Sequence, residues 1–206
     1  MLDRTREHLI QALISAAKFL EAVENDFRKS GLRHFARTGD IQGRFKTLLS
    51  SLDNTGDLDL MIDHRIQNLQ EHLFDLAAAV REKVEKDIVF SNPATQEMNR
   101  IFKESKAFLK TAIDFLRTDS VALSRLLEKK QDMCMKNCEQ YAASHEKRLV
   151  DGTCVPEASL IYLEMLHAFA GLHSQVLNIV RLREGMRDSS TLTTRTIGRG
   201  ASYLFL

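Results

Sequence analysis

Tryptophan is absent from this chain of 206 residues, and proline occurs only twice. Because proline interrupts helices and is common in turns, so few prolines leave room for long uninterrupted helices. No apolar run approaches the roughly 20 residues that a membrane-spanning helix needs, and the N-terminal segment MLDRTREHLI is too charged for a secretory signal. We therefore expect the chain as given to be soluble.

Net charge is also nearly absent, since 29 basic and 28 acidic residues leave a formal charge of +1. This balance provides no global field that would attract nucleic acid, so we expect no nucleic-acid partner. Cys134, Cys138 and Cys154 are the only cysteines, and their spacing fits neither a disulfide framework nor a C-x-x-C site. A reducing cytoplasm is the expected location.

Apolar residues recur at alternating steps of three and four along most of the chain, which predicts amphipathic helices. No alternating strand pattern occurs, and a short helical stretch is expected over 41–52. We predict an all-α fold of about five or six long antiparallel helices. The two clearest stripes of predicted core residues are Leu9, Leu13, Ala16, Leu20, Val23 and Phe27 in one helix, and Leu58, Ile62, Ile66, Leu69, Leu73, Leu76, Val80 and Val84 in another.

Each proline comes just before a further periodic stretch, where a proline at the first helical position is harmless. We expect Asn92 to cap one helix and Ser120 to start the next, which runs to about Leu149. The last helix is predicted from Pro156 to about Glu184, followed by a flexible tail over 186–206. Its predicted buried residues are Leu160, Leu163, Leu166, Phe169, Val176 and Ile179.

The segment DLDLMIDH, residues 57–64, concentrates acidic side chains beside apolar ones. A calcium loop beginning at Asp53 would need glycine at its sixth position and glutamate at its twelfth, where this chain has Leu58 and His64, so that loop is excluded. On a helix, Asp59 and Asp63 lie one turn apart. Such a pair either contributes to a site for a hard metal in a helical bundle or forms a solvated acidic edge.

The longer segment TGDLDLMIDHRIQNL resembles the signature of PhoU domains, with Asp59 and Asp63 at its two acidic positions and Asn68 and Leu69 at the positions that follow. Four later segments occur in the order seen in the PhoU-like domain at the cytoplasmic C-terminus of bacterial sodium/phosphate cotransporters. They are FSNPATQEM, LLEKK, HEKRLVDG and EASLIYLEMLHAFAGLHSQVLNI, so that the resemblance covers about 57–181.

The resemblance implies a PhoU-like domain over 1–185, built from two pseudo-repeated three-helix bundles over about 1–90 and 91–185. The stretch between Gly39 and Gly56 is short for the helix that the family has there. The resemblance leaves open whether the chain lacks several turns and has an incomplete first bundle, merges two helices, or completes that bundle through a partner. The implied function is regulatory and not enzymatic. It would act in phosphate transport by helix-face contacts with a membrane transporter, with the chain's own transmembrane portion or in a homo-oligomer, at the inner face of the cell membrane.

Well-kept PhoU domains carry acidic motifs in both repeats that hold iron or another metal, which implies iron or another divalent metal as a candidate cofactor. In the second repeat of this chain, however, the matching positions are Ala170 and Ser174, with His173 beside them. A full cluster therefore lacks its partner ligands.

Glu164 and His167 are three residues apart and form an E-x-x-H pair of the kind that di-metal bundles use, although such bundles need two of these pairs. The candidate metal ligands are thus Asp59, Asp63, Glu164 and His167. The alternative is that His167 and His173 are ordinary surface or core histidines.

No G-x-x-x-x-G-K-[ST] loop, G-x-S-x-G elbow or H-E-x-x-H pair occurs, so nucleotide-binding, hydrolase and zinc-protease functions have no support in the sequence. The side chains of the segment MCMKNC, residues 133–138, either bind a soft metal or pack in the fold, and packing is the more common role on an amphipathic helix.

Two other functions remain open beside phosphate-transport control. One is a carboxylate-rich metal-binding bundle with storage or redox activity, and the other is a plain dimeric scaffold.

Overall fold

Five helices account for nearly all of the described chain in a computed structural model, which covers residues 2–28, 43 and 57–197. The side chains of 2–3, 57–59 and 186–197 lie outside the description. No strand occurs in the covered ranges, which confirms the predicted all-α fold. The helices are α1 (Leu2–Arg28), α2 (Asp57–Glu85), α3 (Asn92–Thr118), α4 (Val121–Val150) and α5 (Pro156–Ile197). Of the predicted stretch 41–52, only residue 43 is described.

The predicted apolar stripes of α1 and α2 form the buried faces of these helices. All six stripe residues of α1 are buried, as are those of α2 from Ile62 to Val80. Val84 is half-buried, and the side chain of Leu58 is outside the described part. Burial of each large apolar side chain contributes about 1.5–3 kcal/mol, so hydrophobic contacts along these stripes are the main force holding α1 and α2 in place.

The helix starts follow the sequence signals with one correction. Ser91, with φ −58° and ψ 155°, is the N-cap of α3, whereas Asn92 is already the first helical residue and Pro93 follows it in the first turn. The prediction of Asn92 as the cap was therefore wrong by one position. Ser120 precedes α4 as predicted, and α4 ends at Val150, just before Gly152 in the left-handed conformation at φ 68°.

Helix α5 differs from the prediction at both ends. It continues past Gly185 to Ile197, so the predicted helix end near Glu184 was wrong, and the tail boundary at 186 falls inside the helix. Leu160 and Leu163, predicted to be buried, are 62% and 43% exposed. The buried face of the first turns carries Ile161, Tyr162 and Met165 instead. Because LIYLEML is apolar on two faces, only the packing partners decide which face is buried.

Helices α3, α4 and α5 each pack against the other two, while α1 packs against α2 and α3, and α2 packs along α5. Helix α1 runs antiparallel to α3, since Arg6 donates to the carbonyl of Leu116 while Glu24 forms an ion pair with Lys106. Buried apolar residues of all five helices form one continuous core. Within the described residues, none of the helices is long and apolar enough to span a membrane.

Candidate functional site

The acidic pair lies in the first turns of α2, which begins at Asp57. Asp63 is buried, with 9% of its surface exposed, next to the core residue Ile62. The side chain of Asp59 lies outside the described part of the structure. A helix N-terminus carries a partial positive charge that stabilises a carboxylate in the first turn without any metal, whereas Asp63, the seventh residue of α2, lies beyond that turn.

The E-x-x-H pair lies on α5 at the edge of its contact with α2, and Glu164 and His167 are both exposed there. The His167 ring lies edge-on to His72 of α2, with the ring centroids 6.2 Å apart. One turn further along α5, Gly171 faces the same His72 ring, and a Cβ atom at this glycine would lie only 2.3 Å from it. His167 therefore belongs to the contact between α2 and α5.

The structure does not bring Asp63 together with Glu164 and His167. His72, the neighbour of His167, lies two and a half helical turns beyond Asp63, or about 13 Å along α2. Metal ligands must converge to within about 2.0–2.6 Å of one point. Among the described residues, no group of three or more His, Cys, Asp or Glu side chains meets this condition. Because Asp59 is not described, metal binding by the acidic pair stays a prediction.

His173, which lies next to Ser174 at the positions that match the family's second acidic motif, is a core residue. Only 1% of its surface is exposed, its Nε2 atom lies 2.9 Å from Ser105 Oγ, and its ring stacks on Phe108 at a centroid distance of 4.2 Å. Burial, with a smaller effect from Lys130, lowers the pKa of His173 to about 3. The imidazole is therefore neutral at physiological pH, which agrees with the core alternative for this residue.

A charged network joins the N-terminus of α3, the C-terminus of α4 and the N-terminus of α5. Both oxygens of Glu97 accept hydrogen bonds from the Arg148 guanidinium, at 3.0 and 2.7 Å. Tyr162 donates its hydroxyl to the same carboxylate at 2.5 Å. Bidentate pairing of this kind fixes both distance and orientation, so the network holds the three helix ends in register.

Aromatic and imidazole rings surround this network. The His145 ring stacks on Tyr162 with a centroid distance of 4.4 Å, and its Nε2 atom lies 3.0 Å from Ser159 Oγ. Phe90 also packs edge-on to Tyr162, with the ring centroids 5.7 Å apart. Burial, together with the nearby Arg148 charge, lowers the pKa of His145, so the ring stays neutral beside the guanidinium.

The two cysteines of MCMKNC are buried between α4 and its neighbours, with Cys134 3% and Cys138 7% exposed. A hydrogen bond to Cys138, followed by burial, raises the pKa of the Cys134 thiol. The same hydrogen bond lowers the pKa of the Cys138 thiol. Their burial in the hydrophobic core agrees with the packing alternative.

Comparisons of the chain with protein-family models, with curated proteins and with solved structures found no significant match.

The network of Glu97, Arg148 and Tyr162 was not predicted as a site from the sequence. Its members nevertheless belong to three of the segments that carry the resemblance, FSNPATQEM, HEKRLVDG and EASLIYLEM. The signal that could have found them is the pairing of one acidic and one basic residue in segments that otherwise look amphipathic. The candidate functional site is this end of the bundle, where the network attaches three helices rigidly to one another.

Proposed function

We propose that the chain is a PhoU-like regulatory domain in phosphate transport, which acts by binding a membrane phosphate transporter or its own transmembrane portion and not by catalysis. The observation that carries this proposal is the convergence of three resemblance segments in the network of Glu97, Arg148 and Tyr162. Segments that are distant in sequence and meet in one place have a joint structural role, which supports reading them together as one pattern.

The helix arrangement supports the same proposal. Helices α3, α4 and α5 pack pairwise, as the second three-helix bundle of a PhoU-like domain would. Helices α1 and α2 pack against each other and against α3 and α5 respectively. In the predicted repeats, α1 and α3 are the first helices and α2 and α5 are the last helices. Contacts between the two first helices and between the two last helices are expected when two repeats are related by a pseudo-twofold axis.

The contact surface that we assign to this function lies at the network end of the bundle. Val89, Val150, Val155, Leu160 and Leu163 are all exposed there, around the ends of the helices that the network joins. Exposed apolar side chains grouped at one place are typical of protein interaction surfaces. The network would keep this apolar end rigid and so lower the entropy cost of binding a partner.

Deletion of the gene combined with a phosphate-uptake assay tests the proposal. We expect uptake or its response to external phosphate to change on deletion, and the tagged protein to co-purify with a phosphate-transport protein from detergent-solubilised membranes. The variant Leu160→Asp should weaken co-purification, whereas Val121→Asp, an exposed apolar residue at the other end of α4, should not. Unchanged uptake on deletion together with no transport protein in the purified material would refute the proposal.

A further inference from the structure

Helices α3, α4 and α5 leave a pocket of about 360 Å³ between them, on the side of the bundle that α4 covers. Pockets of roughly 300–1,000 Å³ are the usual size for small-molecule ligands. Ala107 of α3 and Leu126 and Met133 of α4 provide apolar walls. This pocket is separate from the network of Glu97, Arg148 and Tyr162 and has no part in the function proposed above.

The charged side chains that line the pocket are mostly positive. Lys129 and Lys130 are consecutive on α4, the first exposed and the second half-buried. Lys130 donates to Thr111 Oγ1 at 3.3 Å, which directs its ammonium group back toward α3. Two ammonium groups beside an apolar cavity attract a ligand that carries negative charge at one end.

Glu104 is the acidic residue in the lining, and its charge is already balanced. One of its oxygens accepts a hydrogen bond from Arg100 at 2.9 Å, and the other accepts one from Asn137 at 3.3 Å. An anionic ligand at the lysines therefore meets little repulsion from this carboxylate.

The inner lining includes His173, whose Nδ1 atom is buried with no hydrogen-bond partner among the described residues. A buried polar atom without a partner costs free energy, and such atoms are rare in folded proteins. A ligand oxygen or a water carried in with a ligand can supply the missing hydrogen bond. The imidazole therefore adds one polar group to the lining beside the two lysines.

We propose that this pocket binds a small amphipathic anion, with its apolar chain or ring between Ala107, Leu126 and Met133 and its carboxylate or phosphate head at Lys129 and Lys130. The proposal does not depend on a function in phosphate transport. It gives the domain an effector site formed by all three helices of the second bundle, so ligand binding stabilises their packing.

Isothermal titration calorimetry on the full chain tests the proposal with three probes: octanoate, 1-octanol and inorganic phosphate. Octanoate carries both the apolar chain and the anionic head, octanol lacks the charge, and phosphate lacks the chain. We expect saturable 1:1 binding of octanoate, binding of octanol about fivefold weaker or more, and no measurable binding of phosphate at the same concentrations.

Two variants and a control separate charge from shape. The double variant Lys129→Gln/Lys130→Gln should weaken octanoate binding by about fivefold and leave octanol binding unchanged. Ala107→Leu, at an exposed lining position, should weaken both probes because it fills the cavity. Lys136→Gln, an exposed lysine on the same helix outside the pocket, should change neither.

The absence of saturable octanoate binding would overturn the proposal, as would equal octanoate affinity in the wild type and the double lysine variant. Phosphate binding as tight as octanoate binding would also overturn it, because the apolar walls would then contribute nothing. Circular dichroism melting of each variant shows that it is folded. If Ala107→Leu does not fold, the comparison of octanoate with octanol in the lysine variants still decides the question.

Discussion

The absence of a Cβ atom at Gly171 allows the His72 ring of α2 to pack closely against α5. A Cβ atom there would lie 2.3 Å from the His72 ring, far inside van der Waals contact, so the imidazole would have to move. We expect Gly171→Ala to lower the free energy of unfolding by about 1 kcal/mol, because the clash outweighs the better helix propensity of alanine. Urea denaturation monitored by circular dichroism measures this change.

The matched control is Gly185→Ala in the same helix, where a Cβ would meet nothing within 4 Å. This change should raise the free energy of unfolding by about 0.5 kcal/mol through helix propensity alone. If the His72 ring is the cause, Gly171→Ala should cost less when combined with His72→Ala than in the wild-type background. Equal effects in both backgrounds would show that the ring has no part in the cost.

His173 provides a pH-dependent prediction at the same scale. Its pKa of about 3 in the folded chain lies below the ordinary value of 6.5, so between these values the unfolded chain binds a proton that the folded chain does not. The stability associated with the neutral ring is therefore complete above about pH 6.5 and declines as the pH falls toward 3.

We expect the difference in unfolding free energy between the wild type and His173→Gln to shrink by about 2 kcal/mol between pH 7 and pH 5, because glutamine does not titrate. Urea denaturation at a series of pH values gives both curves. Carboxylates that also titrate in this range cancel in the difference. Parallel curves for the two proteins would contradict the prediction.

At the scale of the helices, Glu97 and Arg148 form a bidentate ion pair that links α3 and α4. Both side chains are largely buried, with 15% and 14% of their surfaces exposed, and the pairing is bidentate. Removing one partner leaves the other partly buried and uncompensated. We therefore expect Glu97→Gln to lower the free energy of unfolding by about 2–3 kcal/mol, measured by urea denaturation.

The matched control is the pair Arg181 and Glu128, which also joins two helices but lies exposed at 3.4 Å. Arg181→Gln should change stability by no more than about 0.5 kcal/mol, because water screens an exposed pair. The double variant Glu97→Gln/Arg148→Gln should cost less than the sum of its single variants. Additive losses would indicate that the two side chains act independently.

The sequence predicted the helices better than it predicted which face each one buries. In α1, polar residues occupy the face opposite the stripe, so only one orientation buries the apolar side chains. In the first turns of α5, both Leu160 and Ile161 belong to an apolar face, and only the packing of the helices against one another selects the face that carries Ile161. The sequence therefore predicts the buried face of a helix only where apolar residues occupy one face and polar residues the opposite face.

At the scale of the whole molecule, a metal site would need ligands from both predicted repeats. Asp63 lies far along α2 from the position that faces His167, and Ala170 and Ser174 offer no carboxylate in the second repeat. We expect elemental analysis of the purified protein to find less than one equivalent of iron, manganese or zinc per chain. One full equivalent that disappears in Asp59→Ala or Asp63→Ala protein would instead favour the metal-binding alternative.

The sequence by itself determined the helical class, the core stripes of α1 and α2 and most helix starts, because these depend on spacing and capping within one short segment. Only the tertiary structure decided that Glu97, Arg148 and Tyr162 meet, that His167 lies beside His72, and that Lys129, Lys130 and His173 line one pocket. The physical reason is that each of these groupings joins separate helices. Their relative rotation and register are set by how the whole core packs, and no single segment carries that information.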